Sequence, residues 1–337
     1  MFLTLASRKQ GSLESCIPNI KAYFDAAHQK GKFNGSILFT KGKKVLLERQ
    51  YGYADYEKGL PIDSHTRFDV ASITKGFTAL IILQLWEEGR LALQDPVKEY
   101  LQDFPYQETI TLHHLLCHLS GLPLNLKGFP ITSLSPIKSS KVDPIILKPG
   151  RLWIKPGFMY RYSNAGYILL GYVIEKILGI SFGEALRRRI LEPLGMIESG
   201  VKDPTGAFEG LATGYQNFNG EPAGKNQADR TIGPRGSGGL CATSRDLHRW
   251  GLALAGNRLI SQDTLEKMLT PVKGRYGYGF QVGEDRQGNR LCEHPGHNRG
   301  FRSYFLLRPA DAAMGVVLSN VVTTNTKVIA KTIKRFL

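Results

Sequence analysis

Cysteine is scarce in this sequence, and the little there is lies dispersed. Cys16, Cys117, Cys241 and Cys292 are far apart among 337 residues, with no C-x-x-C pair. Three of them sit in partly apolar stretches and read as buried free thiols, which fits a reducing compartment. Long apolar runs are missing too. The longest surrounds Leu80–Trp86, far short of the roughly 20 residues of a membrane span, so none is expected. The opening Met1–Lys9 has a short apolar run with its basic residues after it rather than before it, unlike a signal peptide. As written, the chain is expected to be cytoplasmic, or exported if a leader has been trimmed. Acidic residues are the minority, 29 against 44 basic, for a net charge of +15. The excess is scattered. Its densest clusters, Lys41–Lys44, Arg187–Arg189 and Lys331–Arg335, read as a hairpin tip and two solvated helix faces, so no nucleic-acid partner is expected. Repeats and low-complexity tracts are absent.

What is present is an ordinary globular composition, 42% hydrophobic and 22% charged, which predicts a packed core. Apolar residues recur at helical spacing over Cys16–Lys30. Gly35–Thr40 and Val45–Tyr51 read as a hairpin around Lys41–Lys44. Ser72–Glu88 reads as a helix stopped by Gly89. Further helical patterns cover Leu112–Leu119, Ala165–Leu178 and Phe182–Ile190, with a long Pro/Gly/Ser-rich loop over Leu122–Lys155. The last third returns to strands. Tyr278–Val282 and Arg290–His294 flank a turn at 287–289, and Phe301–Leu307 and Met314–Ser319 flank one at 308–311. A closing helix, Thr324–Leu337, places Val328, Ile329, Ile333 and Phe336 on one side. Strands at both ends with helices between predict an α+β fold, one antiparallel sheet built from both termini. The expected divisions are 17–95 and 226–337 for an α/β part and 96–225 for a helical part.

Three short motifs carry chemistry. Ser72 and Lys75, three apart at a helix start, share a helix face. A serine hydroxyl needs a base to take its proton, and a lysine amine serves if its pKa is lowered. A capped helix with an exposed lysine would give the same spacing. Tyr162 and Asn164, two apart in an extended segment, point the same way. Tyr162 could act as a base if lysine charge holds it as phenolate, and Asn164 could bind an amide or ester; alternatively Asn164 is simply the N-cap of the next helix. In His294-Pro295-Gly296-His297, a glycine on a strand edge lets a substrate approach the backbone. The His297 N–H could complete an oxyanion hole with that of Ser72, and His294 could hold or relay a proton. An ordinary Pro-Gly turn is the other reading.

In this order, the motifs resemble those of the serine β-lactamase and penicillin-binding-protein superfamily, in particular its class C-like branch with esterases and D-amino-peptide hydrolases. Phe68–Ala79, His114–Leu122, Pro156–Gly171, Leu191–Met196 and Gly238–Leu247 extend the resemblance over about residues 34 to 320. It implies a β-lactamase/transpeptidase-like fold: a five-stranded antiparallel sheet flanked by helices, plus an all-helical domain. It implies a nucleophilic Ser72, a Lys75–Tyr162 base system, Asn164 orienting substrate and Lys75, and His294 and Gly296 replacing the lactamases' Lys-Thr-Gly strand motif. No metal and no cofactor is implied. His114 and His118, four apart, have possible ligand spacing, but a helix packed and capped by Ser120 and Gly121 explains them without a metal.

The expected activity is that of a serine hydrolase forming an acyl-enzyme on small-molecule ester, amide or peptide substrates. A true β-lactamase or D-Ala-D-Ala carboxypeptidase is the alternative among enzymes, and a penicillin-binding sensor acylated without turnover is the alternative outside them. Pro295 offers no hydroxyl for a substrate carboxylate and His294 is only partly charged, which favours esters or neutral amides; Arg299 could restore an anion site. Oligomeric state is left open.

Overall fold

The computed structural model describes residues 13–102, 104–106, 108–125, 152, 154–202, 208–218, 222–225 and 236–334. Its centre is one antiparallel sheet. Strands β1 (Gly35–Lys41) and β2 (Lys44–Tyr51) come from the first sixth of the chain, and β3 (Gln281–Glu284), β4 (Arg290–Asn298), β5 (Phe301–Arg308) and β6 (Ala313–Ser319) from the last. Their order in space is β3-β4-β5-β6-β1-β2. The pairing of β1 with β6 joins the two ends of the chain, with Gly35 opposite Ser319 and Lys41 opposite Ala313. The sheet has six strands, one more than the resemblance implies, because the four-residue β3 adds an edge to β4.

Alternation along the strands builds a core on each face. Ile37, Phe39, Tyr304, Leu306 and Val317 meet Ile20 and Phe24 of the helix Leu13–Gln29 and Ile329 and Ile333 of the helix Thr326–Ile333. Their neighbours Leu38, Phe305, Leu307, Val316 and Leu318 face the other way, into a larger core with Phe77, Leu80 and Trp250. Each such side chain contributes about 1.5–3 kcal/mol when fully buried. The helix Thr74–Glu87 is buried on nearly every side, with eleven of its residues buried, and runs through the second core.

The sequence and the structure differ in several places. The closing helix is shorter than the pattern over Thr324–Leu337, and Val328 is 44% exposed rather than part of its buried side; Phe336 lies outside the described residues. So do Met1–Lys9, Arg335 and most of Leu122–Lys155. The stretch Phe182–Ile190 is helical as expected and continues to Leu194, with the helix widening into a single π turn over Arg187–Leu191. Its arginines are not merely solvated, since Arg187 and Arg188 pair with Glu184 and Arg189 with Glu88. Cys117, Cys241 and Cys292 are buried free thiols, and burial pushes Cys117 up to about 12. Among the described residues no single helix is long and apolar enough to cross a membrane.

Candidate active site

Ser72 does not start the α-helix. It sits in a tight 3-10 turn, Ala71–Ile73, and the α-helix proper is Thr74–Glu87. The turn is entered through Ala71 at φ 49, a left-handed conformation unusual for a residue with a Cβ. Strain of this kind costs of order 1–3 kcal/mol and persists only where surrounding contacts hold it. Here the Ala71 N–H donates to the Asp69 carboxylate at 2.8 Å.

The first two motifs converge on the Ser72 hydroxyl. Lys75 Nζ lies 3.0 Å from Ser72 Oγ, and the Tyr162 hydroxyl donates to the same oxygen at 3.0 Å. Lys75 Nζ also reaches Asn164 Oδ1 at 2.8 Å and the Ser237 carbonyl at 2.7 Å. Asn164 is not the cap of its helix. Ser163 is, its Oγ accepting the Gly166 N–H, which leaves the Asn164 side chain to the site. The Asn164 Nδ2 donates to Asn125 Oδ1 at 3.0 Å, which fixes the orientation of its amide.

Lys75 is fully buried and, among the described residues, faces no carboxylate. Burial therefore pushes its pKa well below the usual lysine value. The Tyr162 pKa is raised, chiefly by burial. That corrects the expectation of a phenolate beside an ammonium: burial favours the neutral form of both. With the amine neutral, Tyr162 O–H donates to Ser72 Oγ, the Ser72 O–H can turn its proton to the Lys75 lone pair, and the amine's two N–H groups meet Asn164 Oδ1 and the Ser237 carbonyl.

The third motif lies on β4. Gly296 is opposite Ser303 of β5. A Cβ there would come within 2.3 Å of the Val70 carbonyl, so only glycine lets the nucleophile segment lie this close to the strand. His294 is buried with both ring nitrogens occupied. Nδ1 faces the Pro295 carbonyl at 2.7 Å, an acceptor only, so Nδ1 carries the proton and Nε2 accepts from the Tyr276 hydroxyl at 3.0 Å. Burial lowers its pKa to about 3. His294 is thus neutral, not partly charged, and neither nitrogen is free to relay a proton to Ser72.

The His297 side chain is on the other face of the sheet, with Nε2 2.6 Å from Thr326 Oγ1; only its backbone bears on the site. The Val282 N–H donates to the Arg275 carbonyl, away from β4. The backbone groups of Gln281 and Gly283 therefore face β4, and those of their partners Glu293 and Leu291 face β3. The same alternation carries the groups of Pro295 and His297 to the edge that β3 no longer covers. Pro295 has no N–H, so the His297 N–H is the donor there.

Sequence reasoning missed four neighbours. Asn125 and Ser237 touch the motif residues directly. Tyr276 holds His294. His118, treated as packing, is fully buried beneath the site: its ring centroid is 4.3 Å from that of Tyr162 and 4.5 Å from that of Tyr276, and its Nδ1 accepts the Ser163 N–H. A histidine at φ 58 closing the turn after helix Leu112–Leu116 is the signal that marks it in the backbone. His114 is a cap, exchanging hydrogen bonds with Thr111. Among the described residues no group of three or more His, Cys, Asp or Glu is placed to hold a metal ion.

Comparison with known proteins shows what the chain as a whole resembles. The chain is 29% identical over 308 residues to penicillin-binding protein 4* of Bacillus subtilis, covering 86% of this chain and 68% of that one. It is 29% identical over 311 residues to protein flp of Staphylococcus aureus, covering 87% of this chain and 61% of that one; it spans only part of each relative. The crystal structure of a penicillin-binding protein from Bacillus halodurans superposes with a TM-score of 0.79 at 26% identity, over 94% of this chain and 99% of that one. The family model described as Beta-lactamase matches residues 20–337, and the chain belongs to that family.

Proposed function

We propose that this protein is a serine hydrolase that cleaves small esters or neutral amides through an acyl-enzyme on Ser72. The observation that carries the reading is the Ser72 hydroxyl held at 3.0 Å by both a buried, uncompensated lysine and a tyrosine hydroxyl. Lys75 takes the Ser72 proton as Oγ attacks the substrate's carbonyl carbon. The developing oxyanion is met by the Ser72 and His297 N–H groups, a stabilisation worth about 3–4 kcal/mol per donor in comparable sites. Tyr162 passes its proton to the departing alcohol or amine and regains one from Lys75. Water then attacks the acyl carbon, giving its proton to the same pair; the bond from that carbon to Ser72 Oγ breaks, Oγ takes the proton back, and the acid is released. Asn164 keeps Lys75 in place through its carbonyl oxygen.

The site offers little to a substrate carboxylate. Pro295 supplies neither hydroxyl nor N–H, and His294 is buried and neutral. One missing charge-assisted hydrogen bond costs roughly 1.5–3 kcal/mol, or about ten- to a hundredfold in kcat/KM. This favours neutral substrates over β-lactams and D-Ala-D-Ala peptides. The reading to set against it, a β-lactam-binding protein, is favoured by the names of the relatives. The test compares kcat/KM for a p-nitrophenyl short-chain ester with that for nitrocefin, in the parent and in Ser72→Ala. Ester turnover that exceeds nitrocefin turnover and disappears in Ser72→Ala is the expected result. Faster nitrocefin turnover overturns the substrate preference, and turnover surviving in Ser72→Ala overturns the nucleophile.

A further inference from the structure

Asp69 takes no part in the chemistry above, yet it joins the two chain segments that carry the oxyanion donors. It is fully buried. Its Oδ1 accepts the N–H of Ala71, the left-handed residue that turns the chain into Ser72. Its Oδ2 accepts from Asn298 Nδ2 at 2.7 Å. Asn298 is the last residue of β4 and follows His297 directly. Lys202 Nζ, 2.5 Å from the same Oδ2, balances the charge. Between these ties the Val70 carbonyl is held by the Ser303 hydroxyl at 2.9 Å, against the space that Gly296 leaves free.

We propose that Asp69 is a positioning residue for the oxyanion pocket: one carboxylate oxygen holds the turn that aims the Ser72 N–H, and the other holds the strand end that aims the His297 N–H. The proposal rests on the acyl-transfer reading. A buried carboxylate needs a cation, and Lys202 meets that need. Asn298 and Ala71 are not required for charge balance; what they add is a fixed distance between two donors on segments more than 220 residues apart in sequence. Donors preorganised toward a developing oxyanion lose their value when displaced by small amounts.

The test uses Asn298→Ala, Asp69→Asn, and the reciprocal pair Asp69→Asn with Asn298→Asp, assayed on the ester with thermal unfolding alongside. Asn298→Ala should lower kcat about tenfold or more with KM within about twofold, since the lost interaction acts in the transition state. Its Tm should stay within about 4 °C of the parent's. Asp69→Asn sets an amide donor against both Asn298 Nδ2 and the Lys202 ammonium and should lose more. The reciprocal pair restores the donor–acceptor match between 69 and 298 with a carboxylate still beside Lys202 and should recover part of the loss. A Tm loss with kcat unchanged, a loss confined to KM, or a reciprocal pair no better than the product of its singles each overturns the positioning role. If Asp69→Asn does not fold, Asn298→Ala decides by the same split. Turnover that survives in Ser72→Ala identifies failure of the acyl-transfer reading instead.

Discussion

Lys75 and Lys202 are both held against the segment that carries Ser72, and both are largely shielded from water, Lys75 completely and Lys202 with a side chain 10% exposed. They differ in what meets them. Lys202 meets the Asp69 carboxylate. Lys75 meets a hydroxyl, an amide oxygen and a backbone carbonyl, all neutral. In a poorly polarisable interior a charge with no counter-charge is expensive, and the group gives up its proton instead. The same side chain is buried without a counter-charge at one place, where burial favours the neutral amine, and paired with a carboxylate at the other.

The comparison breaks most readily at Lys75. A guanidinium does not deprotonate in proteins, so Lys75→Arg should lower kcat/KM for the ester by at least ~10³-fold. Lys202→Arg keeps the cation that Asp69 needs and should stay within about threefold of the parent. A Lys75→Arg enzyme with a tenth of parental activity removes the distinction. Lys202→Met should instead show itself in stability. It leaves the Asp69 carboxylate buried without its cation, at a cost of about 3–5 kcal/mol in denaturant unfolding; a loss under ~1 kcal/mol means that Asp69 does not depend on that charge. Tyr162→Phe removes the donor to Ser72 Oγ and should lower kcat about a hundredfold, with little change in Tm; an unchanged kcat assigns the leaving-group proton elsewhere.

Much of this site could be read from the sequence because its spacings are local. Ser72 and Lys75 face each other across one turn, and Tyr162 and Asn164 across one strand repeat, so residue type and interval already describe the contact. Asn125, Ser237 and Tyr276 reach the same cluster across 39, 162 and 18 residues, and Ser237 contributes a backbone carbonyl that leaves no mark on residue type. The His294 charge state was hidden for the same reason, since it depends on burial and on the Tyr276 hydroxyl. In the fold, the hairpins β1–β2 and β5–β6 follow from alternating apolar runs and short turns. Val328 misled because apolar spacing alone does not say which flank of a short helix faces the sheet.

The smallest expected effect concerns pH. The active form of Lys75 is the neutral amine, so activity rises as pH rises through its pKa, and burial moves that rise below the usual lysine range. The raised Tyr162 pKa keeps the phenol protonated through ordinary pH. His294, with a pKa of about 3, is neutral on both sides of pH 6.5 and contributes no inflection there. His294→Asn should therefore leave the shape of the kcat/KM profile unchanged, and an inflection near 6.5 that vanishes in this variant means that His294 titrates in the open.

All of this depends on Ser72 being the group that Lys75 and Tyr162 activate. Peptide mapping after reaction with a fluorophosphonate, which needs an activated serine, measures that directly. One adduct per chain is expected, on Ser72, and none in Ser72→Ala. An adduct on another serine, or an active preparation that takes no label, contradicts it.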